Sequence, residues 1–171
     1  MIEVAIDSIR VSLMTQQRVV ILKDIDSDRY LPIWIGPCEA ESITIELQGV
    51  EVARPLTHDL LKNVIHELRA AIGSVQVNEL RNETFFARVV LSVDGRQLDI
   101  DARPSDAIAL AVRAKVPIYV AEKVMDAASI TPEEDMAVEG VDTAGDARLS
   151  ESPFGDLIDK LDLDDLGPDD N

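Results

Sequence analysis

The chain has 171 residues, of which 46% are apolar, and 16 Lys plus Arg stand against 33 Asp plus Glu for a formal net charge of −17. That length suits one ordinary domain with an appendage and excludes two large domains. The apolar fraction excludes a wholly disordered chain, and the charge excludes a protein that coats polynucleotides nonspecifically.

The acid is unevenly spread. Residues 1–130 carry 19 acids and 14 bases, a net of −5, while residues 131–171 carry 14 acids and two bases, a net of −12. No apolar run approaches the length of a membrane helix, and Glu3 and Asp7 stand where a basic leader would be, so the chain reads as soluble, intracellular and cytoplasmic, with no membrane partner. The single cysteine, Cys38, excludes an internal disulfide and a multi-Cys zinc site and reads as a small buried or semi-buried apolar residue.

Residues 2–13 alternate loosely, with Val4, Ile6, Ile9 and Val11 as inward positions, and predict an opening strand. Strands over 19–23 and 30–35 follow, separated by the turn-rich Asp24, Asp26, Ser27 and Asp28, which makes an antiparallel meander. Both are apolar on consecutive residues, as strands covered on two faces are. Gly36-Pro37 then opens a helix to about residue 48, because Pro is tolerated at a first helical position and Glu39 and Glu41 complement the positive helix terminus. Ala40, Ile43 and Leu47 form its core stripe, with Glu39, Ser42 and Glu46 on an adjacent polar face.

A second helix is predicted over 58–72, capped by Thr57 with Asp59 in its first turn. Leu60, Leu61, Val64, Ile65, Leu68 and Ile72 make one arc and His58, Asp59, Lys62, Asn63, His66 and Arg69 the other, the pattern of an amphipathic helix lying over a sheet. Gly73 ends it, residues 75–80 form a strand, and 85–93 alternates toward Asp94-Gly95, a strong hairpin signal leading into a strand over 97–102. Leu98, Ile100 and Ala102 are its inward side. Arg103-Pro104-Ser105-Asp106 starts a third helix to about 114, and a last strand covers 118–121. The order predicts an α+β fold, a mostly antiparallel sheet with three main helices. Arg-Pro followed by an acid-bearing helix start occurs at Arg54 and again at Arg103, which raises a duplicated half-fold. Residues 131–171 read as an acidic, largely disordered tail, with Phe154, Leu157, Ile158 and Leu161 at the spacing of a short amphipathic helix over 153–162.

No nucleotide-loop, zincin or nucleophile-elbow motif occurs, so any site must be assembled at the helix entrances. Asp99 and Asp101 project from one strand face, about 7 Å apart. Arg103 continues that face and Asp106 opens the next helix, a set suited to a divalent metal that activates water while the arginine holds a phosphate. The same residues also read as the outward side of a half-buried strand followed by an ordinary helix start. A second group joins Arg54, Thr57, His58 and Asp59. Here a histidine beside an acid offers a general base or metal ligand and the free amides attract an anion, while a solvated first turn is the competing reading.

The ordered run Arg29-Tyr30-Leu31-Pro32-Ile33-Trp34-Ile35-Gly36, Glu39-Ala40, Arg54-Pro55-Leu56-Thr57-His58-Asp59-Leu60, Asp99 to Leu110 and Pro117-Ile118-Tyr119-Val120 resembles the bifunctional nuclease (BFN) family over about residues 1–130. The resemblance implies an α+β domain that forms homo-oligomers and acts as a nuclease on DNA and RNA. Carried onto matching positions, it points to His58, Asp59, Asp99, Asp101 and Asp106 as catalytic, to Arg54, Arg103 and Ser105 as substrate-binding, and to Glu39, Asp99 and Asp101 as ligands of Mg²⁺ or Mn²⁺. The expected function is therefore a metal-assisted phosphodiesterase. The alternative is a non-catalytic oligomeric module that binds an anionic ligand or a protein partner, with the acidic tail as a docking arm.

Overall fold

The computed structural model of the chain describes residues 1–12 and 17–131. The acidic tail and its expected helix at 153–162 lie outside the described residues. Strands β1 (Ile2–Val11), β2 (Arg18–Asp24) and β3 (Tyr30–Ile35) form an antiparallel meander, followed by helix α1 (Pro37–Leu47). Helix α2 (Thr57–Glu67) leads into a second meander, β4 (Ala70–Arg81), β5 (Thr84–Val93) and β6 (Arg96–Ala102), which helix α3 (Pro104–Ala114) follows. The short strand β7 (Ile118–Val120) and helix α4 (Glu122–Ala128) complete the order. The seven strands make one sheet in the order β3-β2-β1-β7-β4-β5-β6. Among the described residues only the β7–β4 pairing is parallel. A three-stranded meander followed by a helix with Pro in its first turn thus occurs twice, with α2 inserted between the copies.

Helix α3 is the hub. Eight of its 11 residues are buried, and Ile108 and Leu110 pack with Val20, Leu22, Leu31, Ile33, Val75, Val77 and Val89 of the sheet. Helices α1 and α2 flank it. No helix among the described residues is long and apolar enough to cross a membrane.

Several expectations are corrected. Strand β1 ends at Val11, which is 45% exposed although it shares a strand face with Ile9, a residue packed against the core after the register shift between Ile6 and Ser8. Helix α2 stops at Glu67, where Arg69 takes a left-handed φ of 58° and turns the chain into β4, so Ile72 is a strand residue and Gly73 no helix terminator. Its N-cap is Leu56, and Thr57 is its first residue. Helix α2 puts Ile65 against the core but leaves the rest of its apolar arc outside. His58 is buried, Leu61 and Val64 are exposed, and Leu60 and Leu68 reach 58% and 72% exposure. On the edge strand β6, Leu98 and Ile100 are exposed because no further strand or helix covers them. Leu47 and Cys38 are exposed as well.

Candidate functional site

The entrances of three helices meet around one groove. Cys38, Glu39, Glu41 and Ser42 of α1, Pro55 to His58 at the start of α2, and Arg103 and Asp106 at the start of α3 line it, together with Ile45. Its volume is about 630 Å³. The chain is built for this convergence: each helix begins on an extended residue (Gly36, Leu56 or Arg103), and α1 and α3 carry Pro in their first turns. Proline supplies a helical φ and leaves no amide proton of its own, and the remaining free amides give each entrance a positive pole. Three such entrances border one space, whose lining also carries the carboxylates of Glu39, Glu41 and Asp106.

A chain of contacts crosses the groove from α1 to α2. Arg103 donates from one terminal nitrogen to Glu39 Oε1 at 2.6 Å, and from Nε to Asp106 Oδ2 at 2.7 Å. Asp106 Oδ1 then lies 3.2 Å from His58 Nε2, and the other ring nitrogen, Nδ1, lies 3.0 Å from Ser42 Oγ. Burial pushes the Asp106 carboxyl up, but the hydrogen bonds and charges of Arg103 and His58 outweigh it and hold the group below its ordinary value. Asp106 and Glu39 in turn raise the Arg103 guanidinium. A Cβ at Gly36 would displace the Glu39 carboxylate from its present position.

Beneath the groove, Arg113 ties the three helices together. Its side chain, 1% exposed, donates from Nε to Asp59 Oδ1 at 2.7 Å and from its terminal nitrogens to the carbonyls of Ser42 at 3.0 Å and Ala109 at 2.9 Å. Asp59 also accepts the Leu56 amide at 2.8 Å, closing the first turn of α2. Burial pushes the Asp59 carboxyl up, and the Leu56 amide and Arg113 reverse this to a net lowering. Arg113 therefore grips the backbone of Ser42 and the neighbour of His58, the two residues whose side chains meet in the groove.

The expected site residues divide into groups. Glu39, His58, Arg103 and Asp106 come together in the groove. Asp59 supports it from below, and Arg54 lines an adjoining pocket of about 270 Å³ with Asp59 and Arg113. Ser105 is buried in the first turn of α3. Asp99 and Asp101 belong to another surface. They face away from the helices, since Ile100 pairs with the core residue Val89, and Asp99 is held by Arg88 at 2.8 Å and Gln97 at 3.0 Å. Glu39 is thus not brought into a ligand set with them, and among the described residues no three His, Cys, Asp or Glu side chains form a cluster fit for a metal ion. Two functional residues escape a sequence reading: Ser42, which looks like one polar residue of an outer face, and Arg113, a lone charge in an otherwise apolar helix.

The model of the bifunctional nuclease domain matches residues 20–133. The uncharacterized protein Rv1829 of Mycobacterium tuberculosis is 38% identical over 164 residues, covering 96% of this chain and 97% of that one. Bifunctional nuclease 2 of Arabidopsis thaliana is 34% identical over 93 residues, 53% of this chain and 28% of the plant protein. Bifunctional nuclease 1 of Oryza sativa subsp. indica is 27% identical over 109 residues, 62% of this chain and 33% of the relative. The named nucleases therefore share with this chain about a third of their own length.

Proposed function

The chain belongs to the bifunctional nuclease domain family, and from that membership we propose that it is a phosphodiesterase acting on DNA or RNA at the groove where three helices begin. The observation that carries this reading is the convergence of three positive helix poles and Arg103 on one space beside a histidine paired with a carboxylate. A phosphodiester in the groove competes with Glu39 and Asp106 for Arg103, whose planar fork suits phosphoryl oxygens and neutralises the charge that grows on them in the transition state. His58 is the proton carrier, and Asp106 orients its ring and balances its charge when protonated. Glu39 and Asp106 are both engaged by Arg103 and do not make a site for Mg²⁺ or Mn²⁺, so the acid–base and charge-neutralising roles fall to the side chains themselves.

The test is cleavage of single-stranded DNA and RNA by the full chain at low salt, with Mg²⁺, Mn²⁺ or chelator. Fragments that vanish in Asp106→Asn are expected. Retention of the polynucleotide without fragments under any condition would replace this reading with the anion-binding module. We also propose that the protein self-associates through the exposed stripe formed by Leu60, Leu61 and Val64 of α2 and Leu68 just past its end, an apolar face of the kind that marks interaction surfaces.

A further inference from the structure

We propose that Ser42 is the nucleophile of this site and that hydrolysis passes through a serine-linked phosphoryl intermediate. This rests on the phosphodiesterase reading and goes beyond it by naming the attacking atom.

Asp106, held ionised by Arg103, can only accept hydrogen bonds, so His58 Nε2, 3.2 Å from it, carries the ring proton. In the neutral imidazole, the form in which His58 can act as a base, Nδ1 is the one acceptor left, and Ser42 Oγ at 3.0 Å donates to it. The hydroxyl hydrogen therefore points at a base, and the oxygen lone pairs are free for the groove that Ser42 lines. Both ring nitrogens are occupied, so a water in the groove has no nitrogen of His58 open to it, and the serine is the group through which the histidine can act. Carboxylate, imidazole and hydroxyl in series are the arrangement that activates a serine, recognised by geometry and roles whatever the chain order or the ring nitrogen used. Ser42 and His58 are each 8% exposed, which keeps bulk water from competing for their hydrogen bond.

The step balances without an added oxidant or reductant. Ser42 Oγ forms a bond to phosphorus as its proton passes to Nδ1 of His58, the bond from phosphorus to the departing sugar oxygen breaks, and that oxygen takes the proton from the imidazolium. Water then attacks the phosphoserine, giving its proton to His58. The bond between phosphorus and Oγ breaks, and Ser42 takes the proton back. Arg113, fixing the Ser42 carbonyl at 3.0 Å, is a positioning residue for the attack.

The experiment treats the full-length protein with diisopropyl phosphorofluoridate, maps the adduct by peptide mass spectrometry and measures polynucleotide cleavage in parallel. One adduct on Ser42 is expected in the wild type, formed at least tenfold more slowly in Asp106→Asn, together with loss of cleavage in Ser42→Ala. The absence of an adduct at Ser42, or undiminished cleavage by Ser42→Ala, overturns the proposal. The wild-type map decides even where a variant does not fold. An adduct on Ser42 in a protein that cleaves no polynucleotide upholds the nucleophile and refutes the nuclease reading, so the two failures are distinguishable.

Discussion

Replacing Arg113 by methionine removes the guanidinium and keeps a stem that fills much of the same space. Asp59 then loses its ion pair while remaining largely buried, and the carbonyls of Ser42 and Ala109 lose their donors. Breaking a buried pair from one side costs about 3–5 kcal/mol. The lower end applies, because Asp59 is 26% exposed and keeps the Leu56 amide. A loss of about 3 kcal/mol lowers the melting temperature by about 10 °C in a domain of this size. Asp59→Asn strands the guanidinium instead and should cost a similar amount, whereas the double variant should lose well under the sum, since neither charge is then left alone. Thermal and urea unfolding of the four proteins measures this. Strict additivity, or a melting temperature for Arg113→Met within 2 °C of wild type, would refute the view that Arg113 and Asp59 act as one strut.

Acid should expose the same strut. The Asp59 and Asp106 carboxyls are held below their ordinary values in the fold, so their contribution is fully present above the unfolded value near 4 and is lost as pH falls through the lower folded values. Melting temperature should fall steeply below about pH 4, and less steeply in Asp59→Asn. Asp106→Asn should slow cleavage by about 100-fold or more, the usual scale of a lost acid–base pair. Asp99→Asn, on the face turned from the helices, should cleave within about threefold of wild type, and equal losses in the two variants would return the chemistry to β6. Leu60→Glu with Leu68→Glu should leave the melting temperature of the protomer nearly unchanged while lowering the mass seen by light scattering. An unchanged mass would rule out the α2 stripe as the contact.

Much of the fold was legible because local rules and tertiary packing agree. Asp94-Gly95 has positive φ at both positions, as the tight hairpin requires, and the consecutive apolar residues of β2 are those of a strand buried on two faces, while in β3 the second face leaves Trp34 41% exposed. The turn between β4 and β5 uses the same geometry at Asn82 and Glu83, whose side chains announce it far less clearly. The errors cluster where periodicity reports an apolar face without reporting what that face meets. Leu60 and Leu98 obey helix and strand spacing faithfully, yet one faces solvent and the other sits on a sheet edge. The site was half legible. Helix-entrance signals identify Glu39, His58, Arg103 and Asp106 one by one. Ser42 is recognisable only when His58, 16 positions on, arrives at its side with Asp106 on the far edge of the ring. Asp99 and Asp101 drew attention because alternation gives carboxylates a shared face, a property that ordinary edge strands also have.

Strand β7 has three residues and stands between the two meanders, pairing Ile2 with Val120 on one side and Val75 with Ile118 on the other. It is the last strand of the sheet to leave the ribosome. Until it does, β1 and β4 present open inner edges toward each other with nothing to join them, and the sheet cannot close stepwise from its N-terminus. A chain interrupted before Ile118 would hold two bare strand edges, each a template for pairing with another molecule. The shortest strand of the domain is thus the clasp that joins its two meanders.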